Sequence, residues 1–204
     1  MSVEAIGALR EPARRTVYEY VAAQADPVSR NQVAEAVGIG RTLAAFHLDK
    51  LTEAGLLEAS SAPRTGGPGA GRPAKVYTRS AVEHAVSLPP RDYRLLAEVL
   101  AGAVERAGVE PAAYDAARER GRKLSGGELI PALESLGYEP FIDGSRTVRL
   151  RNCPFHALAQ THPGLVCGLS QALVEGLADG ARTVRLDPGP TGCCVVIDSK
   201  NKND

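Results

Sequence analysis

Residues 29–58, SRNQVAEAVGIGRTLAAFHLDKLTEAGLLE, decide the fold of the front of this chain. Ser29 and Gln32 form the capping-box pattern, in which a hydroxyl and an amide satisfy free N–H groups at a helix start. The spacing predicts a helix over 29–37. Gly38-Ile39-Gly40 ends it, because glycine tolerates the left-handed turn that closes a helix. A further helix is predicted over 41–54, with Ala44, Leu48 and Leu51 on one side at i, i+4 and i+7. Gly55-Leu56-Leu57-Glu58 leads into a strand.

Outward from that stretch, residues 11–24 read as a helix with Val17, Tyr20 and Val21 on one face. Lys75-Val76-Tyr77-Thr78 reads as a second strand. Between the strands, PRTGGPGAGRP (63–73) is too rich in glycine and proline to continue a helix or strand, so it is a loop. A helix, a glycine turn, a second helix and a hairpin with a basic tip describe a winged helix-turn-helix. The second helix of the pair fits the major groove, and the wing reaches a neighbouring phosphate or the minor groove.

The candidate DNA contacts are Arg30, Arg41, Thr42, Phe46, Lys50, Arg64, Arg72 and Lys75. Thr42, Phe46 and Lys50 lie opposite the Ala44/Leu48/Leu51 face. Arg41 and Thr42 stand at the helix start, where free N–H groups favour phosphate. An outward aromatic such as Phe46 needs something to touch, and a thymine methyl is one candidate. The alternative for Phe46 is packing under a neighbouring helix. Asp49 and Glu53 on the same outward face oppose DNA, and His47 is expected to pack or lie on the surface. Residues 60–80 hold Arg64, Arg72, Lys75 and Arg79 and no acid.

That basic wing is a local feature, because 24 Lys and Arg balance 24 Asp and Glu over 204 residues. No global field draws the chain to nucleic acid. The composition, 44% apolar and 24% charged, is that of an ordinary globular protein. No stretch has the roughly 18 unbroken apolar residues of a membrane helix. The first residues, MSVEAIGALREPARR, do not read as a secretory signal, so the cytoplasm is expected.

Behind Ser87-Leu88-Pro89-Pro90 a new periodic segment begins. Helices are expected over 91–107, 112–123 and 128–136, then strands over 138–142 and 147–151 joined by an Asp143-Gly144 turn. Helical sequence over 156–161 and 165–178 is followed by strands at 183–186 and 193–197. The fold class is α+β. It comprises a winged helix-turn-helix over 1–86, a helical linker and dimerisation region over 90–126, and a small antiparallel sheet with helices over 127–198. The 91–107 helix, through Leu95, Leu96, Val99 and Leu100, is expected to pair two copies, since a symmetric operator needs two reading heads. Packing within one chain is its alternative.

All four cysteines, Cys153, Cys167, Cys193 and Cys194, lie in the last quarter. Thiolate and imidazole suit zinc or an iron–sulfur cluster, so the candidate ligands are Cys153, His156, Cys167, Cys193 and Cys194. His156 follows Cys153 at i+3 and reaches the same ion if that turn is helical. Neighbours in a strand face opposite sides, so one of Cys193 and Cys194 is expected to ligate and the other not. The alternatives are buried structural thiols, a common fate for cysteine, or a metal-free domain that senses a small molecule or thiol redox state, Cys153–Cys194 being one redox pairing. His84 and His162 read as surface residues. A Cys153/His156 enzyme lacks an orienting third group and an oxyanion motif, so no enzyme is expected.

VSRNQVAEAVGIGRTLAAFHLDKLTEAGLLEA (28–59) with GRPAKVY (71–77) resembles the winged-helix domain of the arsenic-repressor-like regulators. RNCPFHALAQTHPGLVC (151–167) with GCCVVI (192–197) resembles the sensor region of a subgroup that includes the Suf-operon repressors. The resemblance spans residues 11–197. It implies a DNA-binding repressor that holds an iron–sulfur cluster on cysteines. The cysteines here depart from the regular spacing of those relatives, with one long gap between Cys167 and the adjacent pair.

Overall fold

A computed structural model describes residues 2–62, 73–144, 147–188 and 192–199. Arg64 and Arg72, with most of the glycine-rich loop, lie outside the described residues. The chain divides into two units, Met1–Arg91 and Asp92–Asp204. The segment 90–126, expected as a separate linker, therefore belongs almost wholly to the second unit.

The first unit runs α1 (Ser2–Ala8), α2 (Pro12–Ala22), β1 (Val28–Ser29), α3 (Arg30–Val37), α4 (Arg41–Glu53), β2 (Leu57–Ser61) and β3 (Lys75–Arg79). Its strands form an antiparallel sheet in the order β1-β3-β2. The capping box is present in full: the Gln32 N–H donates to Ser29 Oγ, and the Ser29 N–H donates to Gln32 Oε1 at 2.8 Å. Gly38 closes α3 at φ 73°, the left-handed region that penalises a Cβ. Ala44, Leu48 and Leu51 are fully buried with Val17 and Val33, so the register read for α4 holds. Two elements go beyond the sequence reading, α1 and β1. β1 is two residues long and exists only through its pairing with Val76 and Tyr77 of β3, so periodicity has nothing to register.

Because Ser29 caps α3, Ser29→Ala is expected to cost the first unit about 1 kcal/mol. A urea melt of the full chain checks this. A midpoint equal to wild type would mean that the box contributes nothing.

The second unit runs α5 (Tyr93–Ala107), α6 (Glu110–Leu124), α7 (Leu129–Ser135), β4 (Pro140–Asp143), β5 (Thr147–Leu150), α8 (His156–Ala159), α9 (Pro163–Ala178), β6 (Arg182–Leu186) and β7 (Val195–Ser199). The strands form an antiparallel sheet in the order β4-β5-β7-β6. Leu133, Tyr138, Val148, Leu150, Val174, Val195 and Ile197 make its core. The fold class is α+β, as expected.

Helix α9 organises this unit, packing against α6 and against β6 and β7. At the α6–α9 crossing the two backbones touch. A Cβ on Gly121 would stand 2.1 Å from the Leu173 carbonyl oxygen, and one on Gly176 would stand 2.1 Å from that of Arg118. Arg118 Nη2 also pairs with Glu175 Oε2 at 2.9 Å across the same crossing. Among the described residues no helix is long and apolar enough to cross a membrane.

Candidate functional site

In the first unit α4 presents two faces. Inward it buries Ala44, His47, Leu48 and Leu51. Outward it exposes Arg41, Thr42, Phe46 and Lys50, and Phe46 keeps 51% of its surface open. His47 is buried, 3.7 Å from the Glu11 carboxylate, and so is a packing residue rather than a base reader. The sequence reading missed Leu43, which is 44% exposed three residues before Phe46 and shares its side of the helix. That spacing was legible.

The basic candidates carry acidic neighbours. Lys50 pairs with Glu53 at 2.6 Å, and Lys75 on β3 pairs with Asp49 at 2.8 Å. The Asp49 hydrogen bond holds the Lys75 ammonium above its ordinary pKa, so it stays charged. Both pairs are exposed, and exposed ion pairs hold by only about 0–1 kcal/mol, so a phosphate can replace either acid. Arg30 is exposed at the first turn of α3.

In the second unit the four cysteines come together. Cys153 follows β5, Cys167 lies on α9, and Cys193 and Cys194 immediately precede β7. Cys153 packs against the apolar cluster that includes the buried Cys193, and Cys167 Sγ meets Cys194 Sγ at 3.5 Å. The sulfurs are thus matched two by two. Among the described residues no group of three or more His, Cys, Asp or Glu side chains is arranged to hold a metal ion.

Two expectations change here. Cys193 and Cys194 were read as one ligand and one spare by strand alternation. The strand begins only at Val195, so alternation does not govern the pair, and each meets a different thiol. Instead the pair is held from its backbone: Cys193 N–H donates to the Leu150 carbonyl at 2.9 Å, and the Cys194 carbonyl accepts from Asp187 N–H at 2.7 Å. Gly192 makes the approach possible, with φ 88° and no Cβ to strike Leu150 O. His156 is the second change. The i+3 turn forms, the His156 N–H donating to the Cys153 carbonyl at 3.0 Å, but Cys153 lies outside α8, which starts at His156. The exposed His156 ring meets Gln160 at 3.2 Å instead.

Three of the thiols differ in acidity. Hydrogen bonding to Cys193, and burial after it, push the Cys153 thiol far up. Cys193 is drawn down to about 7, chiefly by the Cys153 thiol and further by Ser170 and the Val195 and Cys194 amides. Burial, with Cys194 alongside, pushes Cys167 up to about 11. Ser170 and Tyr138 were absent from the sequence reading. Ser170 lies at i+3 from Cys167 on α9, a legible signal, whereas Tyr138 gave none.

On α5, Tyr93, Leu95, Leu96, Val99 and Leu100 are each more than half exposed. Residues 9–59, covering α2 to the first half of β2, match the model of a helix-turn-helix domain family. No curated protein and no solved structure matches the chain. The match over α2–α4 supports a DNA-binding transcription regulator, and it covers none of the cysteine-bearing unit.

Proposed function

We propose that the chain is a transcription regulator, not an enzyme, whose hold on DNA is set by an iron–sulfur cluster on Cys153, Cys167, Cys193 and Cys194. The observation that carries this reading is the meeting of four thiols from three separate chain segments in two pairs beside an apolar core. A lone zinc ion wants its ligands around one point. A two-iron cluster takes two cysteine thiolates on each iron, which suits the two-by-two grouping. Four thiolates are also a complete ligand set without His156. When bound, such a cluster supplies a redox- and iron-responsive group that the thiols alone lack.

The residues then divide the work. Arg41 and Thr42 grip phosphate at the start of α4, while Leu43 and Phe46 reach the base edges. The wing with Lys75, and with Arg64 and Arg72 beyond the described residues, adds backbone contacts. The apolar face of α5 pairs two copies, because a two-fold operator needs two heads and a symmetric patch supplies them. The Cys167–Cys194 approach of 3.5 Å also favours a second reading, a metal-free thiol-redox sensor on the same four residues.

Anaerobic purification, followed by visible absorbance and iron, sulfide and zinc analysis, separates the two. Colour with matched iron and sulfide is expected, and serine at any one of the four cysteines should remove at least half of the iron. His156→Ala should keep it. A colourless, metal-free wild type would sink the cluster reading and leave the redox one.

A further inference from the structure

Between the turn that joins α6 to α7 and the turn that joins α9 to β6, the second unit holds a cavity of about 650 Å³, partly open to solvent. That is within the size range of small-molecule sites, about 300–1,000 Å³. Its floor is apolar, lined by Leu129 and Ile130 of α7 and Leu177 of α9, which belong to the core of the unit or pack on it. Its rim is charged and carries Glu128, Asp179 and Arg182. Among the described residues none of these three side chains makes a hydrogen bond or an ion pair. Elsewhere in the same unit guanidinium groups are paired: Arg149 with Asp143 and Asp187, Arg185 with Asp187 and Asp198, and Arg118 with Asp115 and Glu175. Glu128 stands at the cap of α7 and makes no capping bond with its side chain. Gly126 and Gly127 form part of the wall, and a Cβ on either would meet nothing within 4 Å, so the opening is clear.

We propose that this cavity binds a zwitterion with an apolar body, a free apolar amino acid or a short apolar peptide, as an effector separate from the thiol site. Each part of the lining has a use in that assignment. The Arg182 guanidinium offers a planar fork that matches a carboxylate. Glu128 and Asp179 accept from an ammonium, which has three N–H donors to give. The last turn of α9 adds partial negative charge on the same side. The leucine and isoleucine floor takes the apolar body out of water. A purely cationic ligand would leave Arg182 unused, and a purely anionic one would be repelled by both acids. Leu177 directly follows Gly176, and Ser125 stands one turn past Gly121. A bound ligand therefore bears on the α6–α9 crossing that seats α9 and, with it, Cys167. The proposal holds whether or not the thiols carry a cluster.

The test is isothermal titration of the full chain with L-leucine and with leucyl-leucine. The controls are 4-methylpentanoic acid, which lacks the ammonium, and 3-methylbutylamine, which lacks the carboxylate. One or both zwitterions are expected to bind once per chain at millimolar concentration or below, and the one that binds tells amino acid from peptide. Loss of a charge-assisted contact should weaken binding about tenfold or more, so both controls should bind that much less tightly than leucine. Arg182→Ala and Glu128→Gln should each cause the same loss, and Arg182→Lys should recover part of it. Glu128 is exposed, so Glu128→Gln keeps the fold and decides the matter if Arg182→Ala does not fold. No heat from either zwitterion overturns the proposal. So does a control that binds as tightly as leucine, or an affinity unchanged in a folded Arg182→Ala or Glu128→Gln chain.

Discussion

Gly176→Ala should unfold the second unit. The new methyl would be driven against the Arg118 carbonyl oxygen and the Arg122 nitrogen, which are backbone atoms of α6 and have no rotamer to change. Overpacking a close-packed interior costs about 1–3 kcal/mol when side chains can shift, and more when they cannot. Against a total stability of about 5–15 kcal/mol, a loss above 3 kcal/mol is severe. Gly121→Ala makes the mirror-image clash with the Leu173 carbonyl and should behave alike. Gly164 lies on the same helix with nothing within 4 Å of a Cβ, so Gly164→Ala should be neutral or slightly stabilising. Thermal unfolding followed by near-ultraviolet dichroism reads this, with Gly164→Ala as the control. Iron uptake should fall with the fold, because α9 carries Cys167. A Gly176→Ala protein that melts like wild type would mean that α6 and α9 do not cross at these glycines.

Replacing Arg41 and Thr42 with alanine should abolish operator binding and leave the fold intact. Both side chains are exposed, and exposed substitutions of this kind shift stability by about 0.5 kcal/mol or less. Each lost phosphate or base contact should cost about 1–3 kcal/mol of binding, roughly tenfold or more. If Arg41 grips a phosphate, the Arg41→Ala single variant should also reduce the salt dependence of binding by about one counterion. If Phe46 reaches a base edge and not the backbone, Phe46→Ala should weaken specific binding more than binding to unrelated DNA. Leu48→Ala is the contrast. It is fully buried and should cost about 2–5 kcal/mol of stability before any question of DNA arises. Fluorescence anisotropy at two salt concentrations, beside a urea melt, reads all four variants. Unchanged binding in the Arg41/Thr42 variant would refute α4 as the recognition helix.

Much of the first unit was legible because its signals are local. Ser29 and Gln32 are three residues apart, Gly38 needs only its own φ, and the Ala44/Leu48/Leu51 stripe repeats within one helix. The misreadings arose where a local rule was applied across an element boundary. Strand alternation was extended to Cys193 and Cys194, two residues ahead of the strand. At Cys153 and His156 the i+3 turn does form, yet the imidazole meets Gln160, a partner outside that turn. Other features carried no local signal at all. Gly121 and Gly176 are 55 residues apart, and each looks like an ordinary helix-weakening glycine until the other backbone arrives. Tyr138 reads as one more apolar core residue, and its hydroxyl acquires meaning only from Ser170, 32 residues on.

By itself, the sequence determined the capped helix pair, the glycine turn between them, the inward face of α4 and the crowding of all four cysteines into the last quarter. These follow from periodicity, capping and composition, which act over a few residues. The tertiary structure alone decided which thiol meets which, that the His156 ring turns to Gln160, and that a serine and a tyrosine meet in the core. Those depend on where the ends of β5, α9 and the approach to β7 converge, and on the close α6–α9 crossing that seats α9. Convergence of that kind is set by packing between distant segments, which no short-range pattern encodes.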